Sequence, residues 1–277
     1  MIESCAIKFL RHPLLPNAKA TVMTDLIPFL TPAQLALAFI VGLVAGTVKG
    51  LVGFAMPMVL VSGLNLFLPT DISLAGLILP TLVTNGIQAL RQGFAAAWSS
   101  VKRFRLFLGI GAVFLFSSAQ LVRILPGHIL LLMIGIPITL FAASQLLGRE
   151  IRLHQPNART EAIVAAFAGF IGGFSGVWGP PTVAYLTALN TEKSEQMRVQ
   201  GVIYGMGAVA LVAAHLASGV LRAETLPFSA FMVVPAVAGL IVGQALHDRI
   251  DQRVFRKATL AVLTLAGASL ILRGLSA

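Results

Sequence analysis

Nine stretches of this chain contain no Asp, Glu, Lys or Arg: 26–48, 50–70, 72–90, 106–122, 124–148, 162–190, 199–221, 225–246 and 258–272. Most approach the roughly 20 apolar residues that an α-helix needs to cross a bilayer. Charged residues make up only 11% of the chain, against 57% hydrophobic, where a soluble domain carries about 25% charge. That balance places the chain in a membrane. It excludes a cytosolic enzyme, a nucleic-acid-binding domain and a secreted disulfide framework. Cys5 has no second cysteine to pair with. The net charge of +10 would suggest a nucleic-acid partner in a soluble protein. Here the cations stand mainly between the apolar runs, where they set topology, and the lipid bilayer is the partner expected.

Two runs do not read as single helices. The run 162–190 is too long for one span and is broken at Gly179-Pro180-Pro181; the pair 33–49 and 54–69 is divided at Lys49-Gly50-Leu51-Val52-Gly53. The breaks share a pattern, since Gly46-x-x-x-Gly50-x-x-Gly53 returns 126 residues later as Gly172-x-x-x-Gly176-x-x-Gly179. A short apolar segment, a longer helix, a basic boundary and two further helices follow each. The reading is an all-α integral membrane protein of two inverted repeats, each of five helical segments and each beginning with a broken, glycine-rich helical hairpin. The expected boundaries are a poorly ordered tail over 1–31 with no signal peptide, repeat 1 over 32–147, a cytoplasmic linker over 148–160 and repeat 2 over 161–277.

Charge supports the inversion independently. With 91–105, 148–160, 191–198 and 247–257 on the cytoplasmic side, those loops hold thirteen of the 20 Lys and Arg residues, as the positive-inside rule asks. Each broken pair must then enter and leave on one side. The first hairpin opens outward and the second inward, with both termini outside.

A helix interrupted in hydrocarbon leaves backbone groups unpaired at several kcal/mol each, so a break persists only where protein, water or a ligand satisfies them. Prolines follow both breaks, at Pro57 and at Pro180-Pro181, and proline suits the first turn of a helix. Restarted helices near Phe54 and Pro180 would aim free N–H groups and positive dipole ends at the bilayer midplane, which is an anion site. Gly50, Gly53, Gly176 and Gly179 would let a ligand approach the backbone; the competing use of such glycines is tight helix packing. All ten acidic residues fall in the tail, the loops or the helix ends. The interior polar groups are cationic or neutral: Lys49, Asn85, Gln88, Ser175, Gln200, Tyr204 and His215. Lys49 and Ser175 occupy equivalent places, and Trp178, Phe54 and Thr182 stand at the breaks as site walls. Such a donor-rich, carboxylate-free set suits an anion and suits a metal cation badly. His215 is the interior group that titrates near neutral pH and so the candidate for proton coupling.

Gly42-Leu-Val-Ala-Gly46-Thr-Val-Lys-Gly50-Leu-Val-Gly53 and Gly169-Phe-Ile-Gly-Gly-Phe-Ser-Gly176-Val-Trp-Gly179 resemble the duplicated glycine-rich segments of the sulfite exporter TauE/SafE family of membrane transporters. The resemblance covers nearly the whole chain after residue 31. Where the family often continues with further glycines, this chain reads Phe54-Ala55-Met56-Pro57 and Pro180-Pro181. The resemblance implies transport of a small anion: sulfite, an organosulfonate or a related sulfur-containing or carboxylate compound.

The leading expectation is therefore a secondary transporter in the plasma (cell inner) membrane, with the anion held between the hairpin tips. An inside-negative potential drives anions outward by about 2.3 kcal/mol per charge per 100 mV, which favours export. The alternatives are an anion channel using the same residues, and an integral-membrane lipid-pyrophosphate phosphatase. Hydrolysis needs a positioned base, nucleophile or metal, and no carboxylate lies near either break. No cofactor and no catalytic residue are expected. Gly46-Thr-Val-Lys-Gly50 lacks the spacing of a nucleotide-binding loop.

Overall fold

The computed structural model describes residues 27–119, 127–148, 153, 157–175, 179–217 and 219–276. Among them run eleven helices: α1 Pro32–Val52, α2 Met56–Leu64, α3 Thr70–Leu90, α4 Phe94–Arg103, α5 Arg105–Ala119, α6 Gly127–Leu146, α7 Ala158–Ser175, α8 Gly179–Ala188, α9 Lys193–Ala217, α10 Leu226–Arg249 and α11 Gln252–Ser276. The fold is all-α, and four helices (α1, α3, α10 and α11) are long and apolar enough to cross a membrane.

The first helix is started by its sequence. Thr31 and Gln34 form a capping box, with Gln34 N–H donating to Thr31 Oγ1 (3.3 Å) and Thr31 N–H to Gln34 Oε1 (2.9 Å), and Pro32 takes the first turn, where no N–H is needed. Residues 27–30 are not a loose tail. Ile27 and Leu30 are buried in one cluster with Leu60, Leu64, Phe228 and Met232. The segment 91–105 is not a loop either, because it contains α4. No long apolar run announces that helix; one side of it is buried, through Ala97 and Ser100.

Four helix pairs carry most of the packing, with α3 also lying along α10, and glycine lets the backbones of the four meet. α1 lies parallel to α10, with Gly42 against Pro235, Gly46 against the Ala236 carbonyl, and Gly239 and Gly243 against Leu43 and Thr47. α5 lies parallel to α7, where Gly169 abuts Gly111 and Phe107 N–H donates to Glu161 Oε1 (3.1 Å). α6 and α11 are antiparallel, with Gly135 on Gly267 and Gly274 on the His128 carbonyl. α3 and α9 are also antiparallel, placing Gly201 opposite Ala89 and Gly205 opposite Asn85. Gly63 of α2 rests on Val41 of α1. Ser229 Oγ of α10 accepts from Leu79 N–H of α3 (3.2 Å).

Candidate functional site

The crossing of α3 and α9 assembles most of the interior polar residues. The first break begins where Gly53 turns to φ 88°, a left-handed conformation that only glycine adopts cheaply. Its N–H closes α1 on Lys49 O (2.7 Å). Ala55 follows at φ 71°, and α2 restarts with Pro57 in its first turn. No described residue accepts from the amides of Phe54, Ala55 or Met56.

The Gly53 carbonyl is held from two helices. Gln88 Nε2 of α3 donates to it (3.1 Å) and to Met197 O (2.7 Å). The Gln200 amide of α9, with its nitrogen turned to the carbonyls, donates to Gly53 O (3.0 Å) and Val52 O (3.2 Å). Lys49, one turn before the break, is 2% exposed, and its Nζ donates to Asn85 Oδ1. None of the ion pairs among the described residues involves Lys49. A lysine amine is thus held in the protein interior by a neutral amide.

The second break lies one helical turn further along α9, about 6 Å by helix geometry. There Tyr204 OH donates to Gly179 O (2.9 Å), and the Thr182 side chain meets the same hydroxyl. Pro180 and Pro181 are buried in the first turn of α8. One apolar cluster joins the two breaks, since Val52, Phe54 and Ala55 pack with Ile171, Val183 and Tyr204. Beyond Thr182 a nearly wholly apolar cavity of about 310 Å³ opens between α5, α7 and α9, past Phe107, Ala168 and Met206.

Lys49, Gly53, Phe54, Asn85, Gln88, Gln200, Gly179, Thr182 and Tyr204 are therefore brought together. Gly50 faces away from this cluster, against the Leu240 carbonyl and Gln244 of α10, so its missing side chain serves the α1–α10 seam. Ser175 ends α7, and Gly176 and Trp178 lie outside the described residues. His215 stands eleven residues beyond Tyr204, about 16 Å along α9, away from the cluster and half-buried. Met197 was not anticipated, because it contributes a backbone carbonyl from a segment read as loop. Thr84, whose Oγ1 lies 3.7 Å from Met56 Sδ and 2.6 Å from Pro80 O, also borders the restart of α2; a threonine among apolar residues gave no signal beyond helix propensity.

Chemically the cluster offers one cation, amide and hydroxyl donors and a helix start, with no carboxylate at either break. Among the described residues no group of three or more His, Cys, Asp or Glu is placed to hold a metal.

The protein-family model for the sulfite exporter TauE/SafE matches residues 38–270. No curated protein and no solved structure matches the chain. The match spans most of the chain, which belongs to the sulfite exporter TauE/SafE family: it is a multi-span, all-helical membrane protein of a transporter family, and not an enzyme.

Proposed function

We propose that this TauE/SafE family member is a secondary transporter, working as an exporter, for a small sulfur-containing anion such as sulfite or an organosulfonate. The anion binds between the two breaks. The carrying observation is Lys49, buried and bonded to Asn85 with no acidic partner among the described residues. Protonating an amine there without a counter-charge costs several kcal/mol, and a bound anion offsets that cost. The free amides of Phe54, Ala55 and Met56 at the start of α2 add donors and the positive end of a helix dipole. Thr182 and Tyr204 bound the site on the second side.

The helix pairing supports two inverted repeats, 32–147 and 161–277, joined by a cytoplasmic linker over 148–160. If α1, α2, α3, α5 and α6 correspond to α7, α8, α9, α10 and α11, a two-fold operation must carry the α1–α10 pair onto α7–α5. It must also map α3–α9 and α6–α11 onto themselves. These four pairs are present, antiparallel where self-mapping requires it and parallel in both members of the exchanged pair, while the α3–α10 packing has no α9–α5 counterpart of comparable extent. The Gly63–Val41 contact supports α2 folding back along α1 as a hairpin. Rocking one repeat against the other about the breaks gives alternating access, and the inside-negative potential of the plasma membrane makes export the downhill direction.

The test is flux in proteoliposomes loaded in turn with sulfite, a short organosulfonate or a dicarboxylate, under a potassium-set potential. Saturable flux of one anion that follows the potential and shows counterflow is expected. Non-saturating flux without counterflow would make the protein a channel. Flux only with a proton or sodium gradient would make it a coupled carrier and bring His215 into the mechanism.

A further inference from the structure

Among the described helices α4 has no counterpart in the second half of the chain, and its two sides differ. The inner side is docked: Ala97 packs with Leu108 and Val202, Ser100 Oγ accepts from Arg198 Nε (2.8 Å), and Arg103 is paired with Glu195 of α9. Those contacts fix which way the helix faces. On the outer side Phe94 is 75% and Trp98 51% exposed, at i and i+4 on one stripe. Lys102 continues the stripe, with its Nζ 5.9 Å from the Trp98 ring centroid. Arg105 is exposed just beyond it. Arg91 is engaged by Asp248 and Arg103 by Glu195, whereas none of the ion pairs among the described residues involves Lys102 or Arg105.

The position of α4 is equally informative. The apolar helix α3 ends at Leu90 and the apolar helix α5 begins at Arg105, so the ten residues of α4 between them lie where the membrane segments meet water. A short amphipathic helix there, with aromatic residues and unpaired cations on its open side, has the chemistry of an interfacial helix. We propose that the outer side of α4 is a binding surface for the anionic phospholipid headgroups of its leaflet. Phe94 and Trp98 enter the headgroup–acyl boundary, and Lys102 and Arg105 meet the phosphates. Charge complementarity selects this occupant over zwitterionic lipid, because the free charges of the surface are cations only.

Trp98 is one of 2 tryptophans, which gives the test its reporter. The full chain is reconstituted in mixed phosphatidylglycerol–phosphatidylcholine vesicles. Trp98 emission is taken as the difference between wild type and Trp98→Phe, and again directly in Trp178→Phe, so that neither variant alone carries the result. Lipids brominated near the headgroup end of the chain should quench Trp98, and aqueous acrylamide should not. At equal mole fraction, brominated phosphatidylglycerol should quench more than brominated phosphatidylcholine. That preference should fall about five-fold for each cation removed in Lys102→Gln and Arg105→Gln. Acrylamide quenching without bromolipid quenching overturns the proposal by placing the surface in water, and quenching by neither overturns it by placing the surface against protein. Equal quenching by the two lipids, or a preference indifferent to both substitutions, overturns its anionic part.

Discussion

The two helix breaks carry the same glycine spacing and use it differently. Around Gly53 the space is filled. Its φ is 88°, its carbonyl takes amides from Gln88 and Gln200, and a Cβ there would collide with the Gln200 amide and crowd Met197. Around Gly179, among the described residues, a Cβ would meet nothing nearer than the Tyr204 hydroxyl at 3.7 Å, an ordinary contact. Matching glycines in the two halves therefore do not mark two equivalent surfaces for ligand approach. The first break is a braced turn beside a buried cation. The second is described from Gly179 onward, where hydroxyls and an apolar cavity border it.

Alanine tests the contrast most severely. Gly53→Ala forces a side chain into the left-handed region, at about 1–2 kcal/mol. It also displaces the Gln200 amide from Val52 O and Gly53 O and leaves that buried amide itself unpaired, at about 1–3 kcal/mol more. A loss of about 3 kcal/mol, visible as a large drop in the thermal midpoint in detergent, is expected. Gly179→Ala should stay within about 1 kcal/mol. Equal losses would erase the distinction between the breaks.

Lys49 separates stability from function within the first break. Exchanging a buried charge for an apolar chain of similar volume is often neutral or stabilising. Lys49→Met should therefore leave the thermal midpoint unchanged or raised. Anion flux should nevertheless fall about 10–100-fold, the worth of one charged hydrogen bond at about 1.5–3 kcal/mol. Retained flux in a folded Lys49→Met protein would remove the cation from the site.

The helices were legible because charge is excluded from hydrocarbon, and the uncharged runs coincide with nearly every apolar helix. α4 was hidden for the same reason: an interfacial helix needs one apolar stripe only, and Phe94 and Trp98 are diluted by Ala95, Ser99 and Lys102. Asn85, Gln88, Gln200 and Tyr204 were legible as polar residues with no aqueous place to go. Their partners were not. That Gln200 caps the break of the opposite half follows from the antiparallel α3–α9 crossing, and no local pattern encodes a pairing across more than a hundred residues. Gly50 was misleading because both uses of a membrane glycine, helix packing and ligand approach, leave the same letter in the sequence. Only the position of α10 separates them.

The brace on Gly53 should show its shared acceptor. Gln88→Leu and Gln200→Leu each remove a buried amide donor, at about 1–2 kcal/mol. Because both amides donate to one carbonyl, the first loss leaves that oxygen still paired and the second does not. The double variant should therefore cost more than the sum of the singles by about 0.5–1 kcal/mol in a double-mutant cycle. Strict additivity would mean that the two amides act on separate partners.

The smallest effect belongs to the second break. Tyr204→Phe removes the hydroxyl that donates to Gly179 O while leaving the ring in the cluster with Phe54 and Val183. The carbonyl it abandons lies in the first turn of α8, where the helix itself still supplies donors four residues on. The loss should thus stay near the net value of one hydrogen bond, about 0.5–1.5 kcal/mol. Flux tells a second thing. If Tyr204 only props Gly179, flux should track the small stability change and be restored on cooling. If the hydroxyl also donates to the transported anion, the apparent KM should rise while the thermal midpoint barely moves. A fall as large as that of Gly53→Ala would show that the second break is braced as tightly as the first, and the contrast between the two halves would fail at its weaker side.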